Sequence, residues 1–214
     1  MISLEKIESV SLLSIWMLEP RLPELLLELG RRGYATARVW PKSLGGYDIR
    51  FIEPNVAAIK GSTYILYNPY RRTLIIKGSN IDEMLSIFNE VEEILRNIGS
   101  DPNKGVLFYE LQAKIKANGE KWFLKKIIKV DNALGLRFLA IPTSFVSVKG
   151  DPNSTKWFHM NIKPVWTSWS DKKVYYEIVL IYRDSRNKLL NMLKNLNKIL
   201  KNIFENIDKA LNIS

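Results

Sequence analysis

The chain of 214 residues has no cysteine, and this excludes disulfides, thiolate metal sites and a cysteine nucleophile. It has a single histidine, His159, set in the strand-like "KWFHMNIKP", so a histidine-based catalytic triad has one candidate and no local support. The acidic residues of the second half are scattered, without a paired-carboxylate or metal-ligand spacing. No glycine-rich loop suited to cradling phosphate is present, and the Lys-Gly pairs read as turns. No apolar run approaches the roughly 18 residues a membrane span needs. The run from Val10 to Leu18 follows Glu5 and Glu8 and lacks a signal peptide's basic flank. These absences predict a cytoplasmic protein that is not an enzyme, has no cofactor and makes no membrane contact.

What is present is an ordinary globular composition, 46% hydrophobic and 25% charged, with a net charge of +10. That charge is unevenly shared. Residues 1–100 hold 12 basic and 12 acidic residues, whereas residues 101–214 hold 20 and 10. Such asymmetry points to nucleic acid or an anionic membrane, or simply to solubility.

Periodicity divides the chain into elements. Ile7–Leu18 reads as a strand, and Leu22, Leu25, Leu26 and Leu29 carry helical spacing closed by Gly30 and Gly33. Strands follow at Tyr34–Trp40, Tyr47–Ile52, Val56–Tyr67 and Thr73–Lys77, with a turn at Gly45-Gly46. Asn68-Pro69 opens a second turn, whose basic tip is Arg71 and Arg72. Ser79, with Asp82 three residues later, reads as the N-cap of a helix over Asn80–Ile98. "GSDPNKG" (Gly99–Gly105) is a loop of turn formers and the best internal boundary, dividing a half at 1–99 from a half at 105–214.

Beyond the boundary, strands are expected at Val106–Ala117, Leu136–Ile141, Ser144–Lys149, Lys156–Trp166 and Lys173–Tyr182. A helix capped at Asp184-Ser185 then runs to about Ile213, a span of about 42 Å at 1.5 Å per residue. Leu189, Leu193, Leu196, Leu200, Ile203, Ile207 and Ala210 form a 4–3 seam along it, which suits a homodimer through this helix. Leu190, Met192, Ile199 and Phe204 widen that seam in favour of packing on a sheet, so one part is expected to pack on the sheet and the remainder to project or dimerise. The two halves share their element order. "GYDIRFIEPNVAAIKG" (Gly46–Gly61) also echoes "GLRFLAIPTSFVSVKG" (Gly135–Gly150), as an internal duplication would. The expected fold class is therefore α+β, two similar halves, each an antiparallel sheet with a long helix on one face.

The second half also interleaves aromatic and basic residues. Trp157, Phe158, Trp166, Trp169, Tyr175, Tyr176 and Tyr182 sit among Lys156, Lys163, Lys172, Lys173 and Arg183. Cations neutralise phosphates while rings stack on bases or wedge between steps, which makes this a candidate nucleic-acid surface. The alternative is a tryptophan-rich core with lysines on the solvent side, Lys163 pointing away from the rings.

"IESVSLL" (Ile7–Leu13), "IRFIEP" (Ile49–Pro54) and "ILYNPYRRTLIIKGSNIDE" (Ile65–Glu83) resemble a half-repeat of the TATA-box-binding protein family. The resemblance implies strand, helix, four strands and long helix, twice over, with a concave sheet that bends DNA by wedging side chains into the minor groove. It places the first-half wedges on Leu44 and Tyr67. Nucleic-acid contacts are therefore expected at Tyr67, Arg71, Arg72, Lys156, Lys163, Trp166, Trp169, Lys172, Lys173 and Arg183. A rival reading is a helix-grip carrier, holding a hydrophobic small molecule between a curved sheet and the C-terminal helix.

Overall fold

A computed structural model describes residues 2–119, 128–133, 136–140, 144–146, 154–165 and 174–212. The first half runs β1 (Ile2–Trp16), α1 (Leu22–Arg31), β2 (Ala35–Thr36), β3 (Arg38–Pro41), β4 (Tyr47–Arg50), β5 (Val56–Lys60), β6 (Thr63–Asn68), β7 (Thr73–Gly78) and α2 (Ile81–Asn97). The second runs α3 (Pro102–Gly105), β8 (Val106–Gly119), β9 (Ile128–Ala133), β10 (Leu136–Ala140), β11 (Ser144–Val146), β12 (Trp157–Val165), β13 (Val174–Asp184), α4 (Arg186–Lys194) and α5 (Leu196–Asn212).

Nine strands form one antiparallel sheet in the order β11-β12-β13-β8-β1-β7-β6-β5-β2. The long first strands of the two halves, β1 and β8, pair at its centre. Outward from β1 come β7, β6 and β5, and outward from β8 come β13, β12 and β11. Gly99–Gly105 therefore does not separate two cores, since one sheet and one hydrophobic cluster run through both halves. That segment also holds the short helix α3, whose N-cap Asp101 accepts from Asn103 N–H at 3.0 Å.

Strand β1 places its apolar residues on one side by an indirect route. Leu4, Ile7 and Val10 recur every three residues, a spacing a regular strand would divide between its faces. Register shifts between Leu4 and Lys6 and between Ile7 and Ser9 each absorb one residue. Glu5 and Glu8 are the absorbed residues, and Leu4, Ile7, Val10 and Leu12 consequently all meet the core. A β-bulge shifts the alternation by one in this way.

The helices lie on that face. Helix α1 packs on β2, β3 and β5, α2 on β7, α4 on β8 and β13, and α5 on β1. The cap of α2 is Asn80 and not Ser79: Asn80 Oδ1 accepts from Asp82 N–H at 3.1 Å and Glu83 N–H at 3.2 Å. Gly78 is still paired with Val10 in the sheet, so the chain needs Ser79 to leave the strand.

The C-terminal helix is not continuous. It breaks at Asn195, whose side-chain amide donates to the Asn191 carbonyl at 3.0 Å. Leu189 and Leu193 pack before this point and Leu196, Leu200 and Phe204 after it, all within the chain's own core. The seam that suggested a dimer is thus occupied internally as far as Phe204, because α5 packs on β1. The side chains of Ile207 and Ala210 lie outside the described set.

Packing is tight where the halves meet. A Cβ on Gly105 would stand 2.7 Å from the Trp16 ring, which is buried. Gly105→Ala is therefore expected to destabilise by about 1–3 kcal/mol through overpacking, read as a lower urea midpoint at unchanged slope.

Several tyrosine hydroxyls are committed to carboxylates. Tyr34 donates to Glu90 at 2.6 Å, Tyr109 to Glu92 at 2.9 Å and Tyr182 to Asp184 at 3.1 Å. Burial first, and the adjacent carboxylate second, raises each phenol, that of Tyr182 to about 12. These groups hold their protons more tightly when folded. Their stabilisation is therefore complete below pH about 10, and it is lost as pH rises towards the folded values. Urea midpoints should fall between pH 9 and pH 11; an unchanged midpoint would contradict the assignment.

Candidate nucleic-acid interface

The sheet's second face carries no described helix. Its residues follow from the register. On β1 they are Ser9, Ser11, Leu13 and Ile15, and on β8 Phe108, Glu110, Gln112, Lys114 and Lys116. On β13 they are Tyr175, Glu177, Val179, Ile181 and Arg183, and on β12 Trp157, His159, Asn161 and Lys163. β7 adds Ile75 and Lys77, and β6 adds Tyr64. None of these side chains belongs to the hydrophobic core cluster.

The charge of this face is positive. Lys6, Lys77, Lys114 and Lys163 are exposed with no ion-pair partner among the described residues. Lys116 is paired with Glu8 at 2.8 Å, and that hydrogen bond holds the Glu8 carboxyl below its usual range and raises Lys116. Lysine thus alternates on β8 with Ala113, Ile115 and Ala117, all buried beneath it.

One end of the face is more ordered. Glu110, 5% exposed, is ion-paired with Arg183 and accepts from the Gln112 amide at 2.6 Å. The Arg183 guanidinium lies 4.8 Å from the Phe108 ring centre and 5.3 Å from that of Trp157. Trp157 stacks on His159 at 5.4 Å and 14°, and His159 Nε2 lies 2.8 Å from Ser144 Oγ. A chain of stacked and charged groups therefore crosses four strands. Beside it, Leu13, Ile15, Asn68, Arg71, Thr73, Ile75, Phe108, Glu110, Gln112 and Arg183 line a recess of ≈ 290 Å³.

The residues expected from the sequence separate into groups. Lys163, Arg183 and Arg71 do border this face. Lys163 shares it with Trp157 and Tyr175, contrary to the expectation that lysine and rings diverge, because all three occupy one parity of the pairing. Phe158, Tyr176 and Tyr182 turn to the helices instead. Tyr67 does not belong to the face. It is 1% exposed in the core, and its hydroxyl donates to Glu19 at 3.2 Å. The reason is again parity, since Tyr67 pairs with buried Leu74. Leu44 is wholly exposed at the tip between β3 and β4, a hairpin separate from the main sheet.

Arg72 is turned away from the face, its guanidinium donating to the Met17 carbonyl. Lys156 sits at the end of the sheet beside Asp184, Ser185 and Arg186. Trp166, Trp169, Lys172 and Lys173 lie outside the described residues.

Sequence reasoning missed Lys6, Lys77, Lys114, Lys116 and the Glu110–Gln112 pair. The signal was present in "ELQAKIKA" (Glu110–Ala117), where polar and apolar residues alternate strictly and both lysines fall on the polar side.

Other chemistry is sparse. Among the described residues no cluster of three or more histidines and carboxylates could hold a metal ion, and no helix is long and apolar enough to cross a membrane. The cavity between the sheet and α2, lined by Leu12, Trp16 and Phe88, has a volume of ≈ 10 Å³, room for about one water. No protein-family model, curated protein or solved structure matches the chain.

Proposed function

We propose that the chain is a non-catalytic nucleic-acid-binding protein that engages its partner through the helix-free face of the nine-stranded sheet, on an architecture of the TATA-box-binding-protein kind. One observation carries the reading: Lys6, Lys77, Lys114 and Lys163, without an ion-pair partner among the described residues, share that face with exposed Tyr64 and Tyr175. Cations at this spacing displace counterions from a phosphate backbone, and rings among them have base faces to contact. The two-half arrangement draws support from the strand order, β1-β7-β6-β5 with β2 at its edge on one side of the centre and β8-β13-β12-β11 on the other. The carrier alternative lacks a comparable observation: the cavity between the sheet and α2 has room for about one water.

The test is titration of a 20-nucleotide single strand and its duplex at several salt concentrations. Affinity should fall linearly on a log–log plot, with a slope between about −3 and −5 for four or five neutralised phosphates. Absence of binding at 50 mM salt, or a slope near zero, would remove the proposal.

A further inference from the structure

We infer that the recess at the β1–β8 seam is a pocket for one unpaired guanine base, with Arg71 receiving the phosphate of that nucleotide. The inference rests on the nucleic-acid reading of the open face and names the ligand of one part of it.

The recess has an apolar floor of Leu13, Ile15, Ile75 and Phe108, which suits the face of a base, and a volume of ≈ 290 Å³. Its polar wall is Glu110 with Gln112 and Arg183 bonded to it, while Asn68 Oδ1 accepts from Arg71 N–H and the Thr73 hydroxyl donates to the Arg71 carbonyl. One carboxylate oxygen accepts from Gln112 and the other from Arg183, so roughly half of the four lone-pair sites of the group are used. An ion-paired carboxylate offers only acceptors, and the matching base edge must therefore present donors. Guanine places N1–H and the N2 amino group side by side on its Watson–Crick edge. Adenine and cytosine each set an acceptor beside their amino group, and that acceptor would face the carboxylate oxygen. Thymine and uracil flank one donor with two carbonyls.

Arg71 stands on the rim of the same recess. Its backbone N–H donates to Asn68 Oδ1 at 3.1 Å, which fixes the turn, while its guanidinium has no partner among the described residues. A guanidinium held beside a base pocket takes a phosphate in fork geometry. Inside a duplex the donors of guanine are occupied by cytosine, so the pocket selects an unstacked base of a single strand.

Calorimetric titration of the full chain with 5′-GMP, 5′-AMP and guanosine tests this. GMP should bind about tenfold tighter than AMP, the discrimination of one good bidentate contact. Glu110→Gln should abolish the preference, and Arg71→Ala should weaken GMP while leaving guanosine unchanged. Because Glu110 is ion-paired and its loss risks unfolding, Leu13→Trp provides a second arm, filling the floor and keeping the pair intact. It should eliminate GMP binding while a thymine-tract oligonucleotide still binds. A thymine tract carrying one guanine should outbind the same tract carrying one adenine, and the preference should vanish in the duplex. Equal affinity for GMP and AMP, or GMP binding unaffected by Leu13→Trp, overturns the pocket. If oligonucleotides then still bind with a steep salt slope, the open-face reading survives alone. If GMP is preferred and no oligonucleotide binds, the pocket stands and the open-face reading falls.

Discussion

Replacing Lys77, Lys114 and Lys163 together by alanine should lower affinity for a duplex about 500-fold at 0.1 M salt and flatten the log–log salt slope by about 2.7. The three lysines lie on different strands, β7, β8 and β12, so they sample the breadth of the open face. Each is exposed and lacks an ion-pair partner among the described residues, so its removal leaves no buried charge behind. Surface changes of this kind cost at most a few tenths of a kcal/mol in stability, and the thermal midpoint should hardly move. The control is Lys116→Ala. Lys116 is already neutralised by Glu8, and its loss should change the slope by less than any of the three. A triple variant that binds as tightly as the parent, with the same slope, would place the interface elsewhere.

Glu92→Ala should destabilise the fold by about 2–4 kcal/mol, less than the full cost of breaking a buried ion pair because Arg186 is part-exposed. Glu92 is 4% exposed on α2, and its carboxylate accepts from Arg186 Nε at 2.6 Å and from the Tyr109 hydroxyl at 2.9 Å. Arg186 opens α4 and also reaches Asn89 at 2.8 Å, while its guanidinium lies 5.6 Å from the Phe88 ring centre. One carboxylate therefore fastens the helix of the first half to the strand and helix of the second. Its removal strands the Arg186 charge and leaves the Tyr109 hydroxyl without its acceptor. For a chain of this size the thermal midpoint should drop by about 10 °C. The pair Glu92→Leu with Arg186→Met should recover much of the loss, because an apolar replacement removes both desolvation costs. A single variant that melts within a degree of the parent would show that the halves are held by sheet pairing alone.

Local chemistry left a clear trace in the amino-acid sequence. Leucines at helical spacing gave α1, β-branched residues between turn formers gave β7, and Gly99 stopped α2 with φ of 83°. The α+β class follows from those signals, because each depends on contacts between near neighbours along the chain. The sharper errors arose where a neighbour in space decides. The start of α2 moved by one residue because Gly78 stays paired with Val10. The last helix is interrupted at Asn195, and beyond it α5 packs on β1, at the other end of the chain.

What the sequence determined by itself is the type of most elements, α3 and β9 excepted, and the alternation of β8, since period and turn chemistry are properties of short segments. Which side of each strand meets the helices was decided only by the tertiary structure. Two bulges in β1 bring Leu4, Ile7 and Val10 to one face, and no periodicity announces them. The pairing of β1 with β8 then sets Leu13 opposite Glu110, and that of β13 with β8 brings Arg183 to the same carboxylate. A period of two makes every strand two-sided, and a shift of one residue exchanges core for solvent. Tyr67 was lost to the core and Lys114 gained for the open face by that single physical rule.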